Sequence, residues 1–431
     1  MILDRQNNGM ECETPSRPAR SKYRFIRRPK FANRTNRCTP FRSLSWSVML
    51  VKITLKLTIR RRPIQVNHRL EKLAGWLKHE QMELAMIQDP ANLFYLTGFE
   101  CEPHERLIAL FAFPGEEPFM ILPKMEMDRL KDSGWTYGIT AYEDTDNPWD
   151  AISSLLDDRK LLPFQSAAVE PDHLSYARAQ SLLRLSPEAK LISISSQLEA
   201  MRAVKDETEI QSAKKAARFA DMAVETGIEA LKPGCTELEV VARIEYEMKG
   251  QGIREMSFST MVLFGEKSGD PHGIPGTRRL QEGDLVLFDL GVIVEGYASD
   301  ITRTVAFGSI SEEANRIYET VRKAQEAALA QCRPQTPMME VDRAARRVIG
   351  EAGYGAHFPH RIGHGLGIST HEYPSLHGNN SDLLSEGMII TVEPGIYVPG
   401  IGGVRIEDDL VITAEGHQVL TRFPKELQIV K

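Results

Sequence analysis

From His68 onward the chain switches between two hydrophobic rhythms. Arg69 to Lys78 spaces its apolar residues at helical intervals, and Glu83 to Ile87 is a short apolar run of strand length. Leu107 to Phe113 and Phe119 to Leu122 read as strands separated by Pro114-Gly115. Asn147 to Leu156 predicts a helix with Pro148 in its first turn, and Asp172 to Leu183 predicts another. Strands alternating with helices predict a compact α/β domain over 63–198. A long helical pattern rich in Ala, Glu and Lys runs from Ser196 to Ala230 and leads into a second domain over 199–431. Pro233-Gly234 stops it. Thr236 then caps a further helix, with Glu239 completing a capping box.

The second domain echoes itself. Residues 235–252 read CTELEVVARIEYEMKGQG and residues 336–353 read TPMMEVDRAARRVIGEAG. Each begins at a Thr cap, shares a Glu-Val step and ends in Gly. In the second, Pro337 falls at the first helical position. Each helix is followed by a histidine-bearing segment and two β-rich runs. Chance explains such an echo between amphipathic helices until the acids are placed.

Charge divides the chain at the same point as the patterning. Residues 1–62 hold 16 Lys and Arg against three acids, a net +13, while the remainder holds 37 bases against 56 acids, a net −19. The front is rich in Arg, Ser, Asn and Pro and reads as a disordered extension. Its acids at Asp4, Glu11 and Glu13 argue against a transit peptide, and its polar first forty residues against a signal peptide. A start at Met49 would leave this front untranslated. Charge alone is a weak argument for a nucleic-acid arm, so no nucleic-acid partner is expected. Leu44 to Ile59 alternates like a strand and is interrupted by Lys52 and Lys56, so no membrane span is expected. Five scattered cysteines with no CxxC pair exclude a disulfide framework and a thiolate zinc site, and suit a reducing cytosol.

The acids give the echo its meaning. Asp289 lies inside the apolar run LVLFDLG, and Asp300 follows in GYASDITRTV across a Glu295-Gly296 turn that can fold both strands into a hairpin. Glu393 follows an apolar run in MIITVEPGIYVPG, and Glu407 sits in GGVRIEDDLVIT. Glu393 lies 104 residues after Asp289 and Glu407 lies 107 after Asp300, close to the offset of the helix echo. Taken singly, an Asp in an apolar run is more often a hairpin-end residue, and Glu407 beside Asp408 and Asp409 reads as a solvated acidic turn. Taken together, two facing copies would bring four carboxylates to one centre. Their repulsion demands protonation or divalent cations. His364, in HRIGHGLG, supplies a nitrogen donor where glycines permit close approach. His272, His357, His360, His371 and His377 cluster near it in sequence.

These residues resemble a known family. LFDLG, GYASDITRTV, FPHRIGHGLG, STHEYP, TVEPGIYVPG and GGVRIEDD are similar, in order, to the motifs of the pita-bread metallopeptidases, family M24, which include methionine aminopeptidase, aminopeptidase P and prolidase. NLFYLTGFE, PHERLIALFAF and DNPWDAI resemble the amino-terminal domain of bacterial Xaa-Pro dipeptidases, so the likeness covers about 66–431. The resemblance implies a small creatinase/prolidase-like α/β domain followed by a duplicated pita-bread catalytic domain of α/β (α+β) class. It implies that Asp289 chelates one of two metal ions, that Asp300 and Glu407 bridge both, and that His364 and Glu393 complete the second. It further implies a metal-bridging hydroxide as nucleophile, with Glu393 also shuttling protons. By the same likeness His272 lies over the scissile peptide, His371 stabilises the oxyanion and His360 binds substrate near proline. Arg405 orients Glu407 by a charged hydrogen bond, and Arg405 and Tyr397 line the substrate side. Four carboxylates and one imidazole favour Mn2+, with Co2+ or Zn2+ as alternatives.

The expected activity is therefore that of a cytosolic Xaa-Pro dipeptidase acting on proline-containing di- or short peptides. An aminopeptidase P-type exopeptidase acting on longer peptides is the alternative. A metal-free creatinase-like enzyme and a non-enzymatic binding module of the same fold both conflict with the complete ligand set. Relatives with this first domain imply a homodimer, with His104, Glu105 and Arg106 as candidates for its rim.

Overall fold

Alternating side chains of six strands fall on two apolar faces, and this arrangement organises the first domain. In the computed structural model, which describes residues 66–431, the strands lie in the order Gly138–Tyr142, Phe119–Pro123, Ala109–Ala112, Leu84–Ile87, Ser166–Val169, Lys190–Ser193. The basic front 1–62 and the strand expected within Leu44–Ile59 lie outside the described residues. Leu84–Ile87 runs antiparallel to Ala109–Ala112 and parallel to Ser166–Val169. Ala85, Ile87, Leu110 and Leu122 enter a cluster with Leu73, Leu77 and Leu93 of the helices Val66–His79 and Pro90–Thr97. Leu84, Met86, Phe111 and Phe119 enter the opposite cluster with Ile152, Leu156 and Leu182 of the helices Pro148–Asp158 and Tyr176–Leu185. Both faces are covered, so Leu84–Ile87, Ala109–Ala112 and Phe119–Pro123 are apolar throughout rather than alternating with polar residues, while the edge strand Lys190–Ser193 is largely exposed. The helix expected from Asp172 starts later, because Ser175 accepts from Arg178 N and caps it there.

The long helix expected from Ser196 to Ala230 is two helices, Ser195–Ala203 and Glu207–Glu229. Tertiary contacts and a cap override the helical pattern between them. Val204 bridges Met388, and Lys205 N donates to Gly387 O at 2.9 Å. Asp206 then opens the second helix with a full capping box to Glu209. Residue 198, where the domains were expected to divide, lies inside the first of these helices.

The second domain is built twice. The helices Glu207–Glu229 and Glu237–Gly250 pack on a sheet ordered Ile429–Val430, Ile301–Phe307, Leu285–Leu290, Met261–Phe264. The helices Glu312–Leu329 and Met338–Glu351 pack on a sheet ordered Glu372–Leu376, Gly363–Gly365, Ile389–Val392, Asp408–Thr413, Gly416–Val419. The two echo helices are 14 residues each. Thr236 caps the first as expected. In the second, Pro337 occupies the cap position itself and, having no side-chain acceptor, makes no cap bond, while Thr336 O accepts from Leu384 N. Among the described residues no helix is long and apolar enough to cross a membrane.

The helix break supplies a test. Asp206→Ala removes a cap and an ion pair with buried Arg69 (2.9 Å), and is expected to lower unfolding free energy in urea by about 1 kcal/mol.

Candidate metal centre

Two hairpins, one per half, carry the acids to one place. Leu285–Leu290 pairs with Ile301–Phe307 so that Asp289 faces Thr302. The return between them is the small hairpin Ile293–Val294/Tyr297–Ala298. Glu295 (φ 55) and Gly296 (φ 84) at its tip both adopt the left-handed conformation a two-residue turn of this kind requires. Asp300 thus arrives at the start of the second strand. In the other half Val392 faces Asp408, so Glu393 and Glu407 flank that register, closed by the hairpin Gly395–Val398/Gly402–Arg405. The halves are joined here. Glu407 N donates to Thr302 O (3.1 Å), Arg303 Nη1 to Glu407 O (2.5 Å), and Asp300 N to Asp409 Oδ2 (2.9 Å).

Asp300, His364 and Glu407 are all buried, and each offers a donor atom within 4.8 Å of the others'. His364 Nε2 lies 3.8 Å from Asp300 Oδ2 and 3.5 Å from Glu393 Oε1. The glycines around His364 are required. An added Cβ at Gly363 would stand 2.0 Å from Thr391 O, and one at Gly365 2.2 Å from Tyr373 O. Of the five expected donors, Asp289 and Glu393 lie outside this three-residue cluster; Glu393 approaches it through His364, and Asp289 is gripped by Arg405 Nη2.

Burial, then the neighbouring carboxylates Glu407 and Asp289, push the Asp300 carboxyl well above its ordinary range. Burial and Glu407 do the same to Glu393. Burial and Asp289 push Glu407 up to about 7. The histidines move the other way. Burial and then His371 lower His364 to about 3, and burial lowers His360 to about 4. The pocket therefore presents crowded carboxylates and a neutral imidazole. Asp300 Oδ1 is buried with no hydrogen-bond partner. An unpaired buried acceptor beside a neutral imidazole and further carboxylates is a donor set that fits a divalent cation.

Arg405 does not meet Glu407 as expected. Its Nε donates to Thr302 Oγ1 (3.0 Å), which donates to Glu407 Oε2 (2.7 Å), so the contact is relayed through a threonine. Its Nη1 donates to Tyr397 Oη (2.7 Å), which meets His360 Nε2 at 2.9 Å. Arg405 and Tyr397 are buried, with their polar atoms occupied by protein partners. His371 packs its ring edge-on against His364, centroids 4.2 Å apart. His272 is exposed and lies within electrostatic reach of both His360 and His371. His357 Nδ1 meets Tyr397 O, whereas His377 is exposed and accepts from Asn379 N in its own loop. The run Glu407-Asp408-Asp409 is fully buried, not a solvated turn. Arg303 neutralises Asp408 at 2.7 Å, assisted by Lys425 at 2.9 Å.

Sequence reasoning missed Thr302, Arg303 and a clamp on Glu372. The polar alternation of Thr302 and Thr304 in DITRTV was the available signal for the first. Burial opposes ionisation of Glu372, but Lys205 (2.7 Å) and Arg202 (2.5 Å) outweigh it and hold the carboxyl below its ordinary range.

Comparison with known proteins agrees with this architecture. The model of metallopeptidase family M24 matches residues 211–414, and that of the creatinase/prolidase N-terminal domain matches 69–204. A Bacillus subtilis (strain 168) protein named Putative dipeptidase YkvY is 50% identical over 363 residues, 84% of this chain and all of that one. The solved Xaa-Pro dipeptidase from Bacillus anthracis is 32% identical with a TM-score of 0.79, covering 84% of this chain and 99% of that one. The X-Pro aminopeptidase from Thermotoga maritima MSB8 is 29% identical with a TM-score of 0.76, covering 84% and 100%. The chain belongs to metallopeptidase family M24, with a creatinase/prolidase N-terminal domain preceding the peptidase domain.

Two outcomes test the centre. Mn2+ at about a hundredfold above its Kd should stabilise the purified chain by about 2.7 kcal/mol and raise Tm by roughly 3 °C. Asp300→Asn should abolish that shift in a thermal melt. Glu372, with its folded pKa depressed, contributes stability that is present above the ordinary glutamate value of about 4.3 and lost as pH falls through the folded value. Denaturation from pH 7 down to 3 should therefore show Glu372→Gln less stable at neutral pH, with the gap closing below pH ~4.

Proposed function

We propose that the protein is a metal-dependent Xaa-Pro dipeptidase that hydrolyses the bond before proline in dipeptides and short peptides. The observation that carries the reading is the 50% identity across the whole length of a relative that bears a dipeptidase name. The two solved neighbours share the fold about equally, so fold alone does not choose between dipeptidase and aminopeptidase.

On this reading Asp289, Asp300, His364, Glu393 and Glu407 hold two divalent ions, Mn2+ first among them by donor chemistry. Such ions, when bound, activate water at neutral pH and polarise a peptide carbonyl. The remaining roles belong to side chains. Glu393 takes a proton from the attacking water and returns it to the departing proline nitrogen. His371, with its pKa lowered by burial and by Arg361, is a neutral donor to the oxygen that gains charge. His272, exposed at the mouth, reaches the scissile unit, and His360 contacts the proline side. The burial of Arg405 and Tyr397 favours positioning over substrate contact. They form a buried line from His360 to Asp289 that keeps a substrate-side histidine and a ligand in fixed relation.

We place the enzyme in the cytosol, a reading supported by Cys101, Cys235 and Cys332, which are buried free thiols. We further propose a homodimer with His104, Glu105 and Arg106 at its rim, which sedimentation would test. The domain limits proposed are 63–198 and 199–431.

Ala-Pro and a longer Xaa-Pro peptide, assayed side by side with Mn2+, decide the substrate class. The dipeptide should turn over faster. Faster turnover of the longer peptide would replace this reading with the aminopeptidase. His371→Ala should cost at least about 100-fold in kcat on either substrate.

A further inference from the structure

The break at 204–206 lies next to a buried cation that joins the two domains. Arg202 lies in the last turn of the helix Ser195–Ala203. Its Nη1 donates to Asn92 Oδ1 (3.0 Å) in the first domain. Its Nη2 donates to Ser369 Oγ (2.9 Å) and Glu372 Oε2 (2.5 Å) in the catalytic domain. Lys205 Nζ takes the other Glu372 oxygen at 2.7 Å. Glu372 directly follows His371, and its Oε2 also accepts from Ser369 N (3.3 Å). One carboxylate thus gathers both ends of the short loop that carries His371.

The path continues into the first domain. Asn92 Nδ2 donates to Glu170 Oε1 (2.7 Å), and Glu170 Oε2 accepts from Gln88 N (2.6 Å) and Asp89 N (3.0 Å). Gln88 and Glu170 each follow one of two parallel neighbouring strands, Leu84–Ile87 and Ser166–Val169. Buried hydrogen bonds therefore run without interruption from the ends of those strands to the residue beside His371. Packing alone does not fix the loop. A cavity of about 220 Å³ borders Arg202, Glu372 and His371. The loop's apolar anchor is Ile368, which packs with Met201 against the first-domain core.

We propose that Arg202, supported by Lys205, is a positioning residue for His371. Through it the first domain holds the His371 ring at the metal centre, and turnover depends on that hold. The proposal rests on the peptidase reading above. It assigns the first domain a part in catalysis in addition to any part in shaping the substrate site. A donor aimed at a developing oxyanion tolerates little displacement, since a shift of about 1 Å can cost about 100-fold.

The test uses the full-length Mn2+-loaded protein and an Xaa-Pro dipeptide. Arg202→Met should lower kcat by roughly 10- to 100-fold while KM moves by less than about threefold. Arg202→Lys, which keeps the charge but not the three-way geometry, should recover part of the loss. In a His371→Ala background Arg202→Met should cost nothing further, because both substitutions remove the same contribution. An undiminished cost in that background, or an unchanged kcat in the single variant, overturns the proposal. Should Arg202→Met fail to fold by circular dichroism, Asn92→Ala removes the hydrogen bond from Arg202 to the first domain, together with the Asn92–Glu170 bond behind it, and leaves the bonds of Arg202 to Ser369 and Glu372. It should give a smaller loss of kcat that is likewise silent in His371→Ala, and a loss that persists there counts against the proposal. If the unaltered protein cleaves no peptide, the function reading fails and the clamp is read independently. The His371 imidazole resonances of 15N-histidine-labelled protein should shift in Asn92→Ala, and unshifted resonances overturn the positioning role.

Discussion

Crowded negative charge in a buried pocket is the constraint on which the catalytic half of this molecule depends. Asp300, Glu393 and Glu407 are forced together where water cannot screen them, and burial lifts all three out of their ordinary range. The surrounding polar groups are arranged in answer to that problem. Arg405 grips Asp289 and reaches Glu407 through Thr302. Arg303, among the largest fully buried side chains, holds the Glu407 carbonyl and the Asp408 carboxylate. Removing one partner of such a set leaves a buried charge uncompensated, which is costlier than the pair is stabilising.

The duplication solves a second problem, that of holding the histidine-bearing segments in place. Each half uses a fully buried carboxylate on its echo helix. Glu237 accepts from Phe264 N (3.0 Å) and Gly276 N (2.7 Å) and pairs with Lys267 (2.5 Å), so it ties both ends of the segment carrying His272. Asp342 pairs with Arg346, which donates to Phe358 O (3.0 Å) and His360 O (2.6 Å). The two acids are not in equivalent positions of the echo, yet each anchors the histidine segment of its own half. The clamp on Glu372 does the same for His371 from outside the duplication.

Much of this was legible in the sequence, for identifiable reasons. The offset of 104 to 107 residues between acid pairs survives as two facing hairpins, because register in a paired strand is fixed by sequence spacing. The Thr236–Glu239 capping box and the Glu295-Gly296 turn are local chemistry and were readable locally. What failed depended on distant partners. Val204 and Lys205 leave the helical pattern for contacts near residues 387 and 388. Asp408 and Asp409 look like a solvated turn until Arg303, Lys425 and Thr421 arrive from elsewhere. Arg405 has Glu407 two residues away in sequence, but its Nη2 goes to Asp289 and its Nε to Thr302, which relays the contact to Glu407.

The joining of the two halves also sets an order of events in synthesis. Arg303 is satisfied by Phe423 O, and Asp408 by Lys425, both near the end of the chain. A ribosome that has made the first half has made Asp289 and Asp300 but none of the groups that neutralise and seal them. The pocket therefore reaches its final form only after almost the whole chain has emerged. A cation that fits this centre would bind the completed chain, so its identity would be set by the metals available where the chain finishes folding.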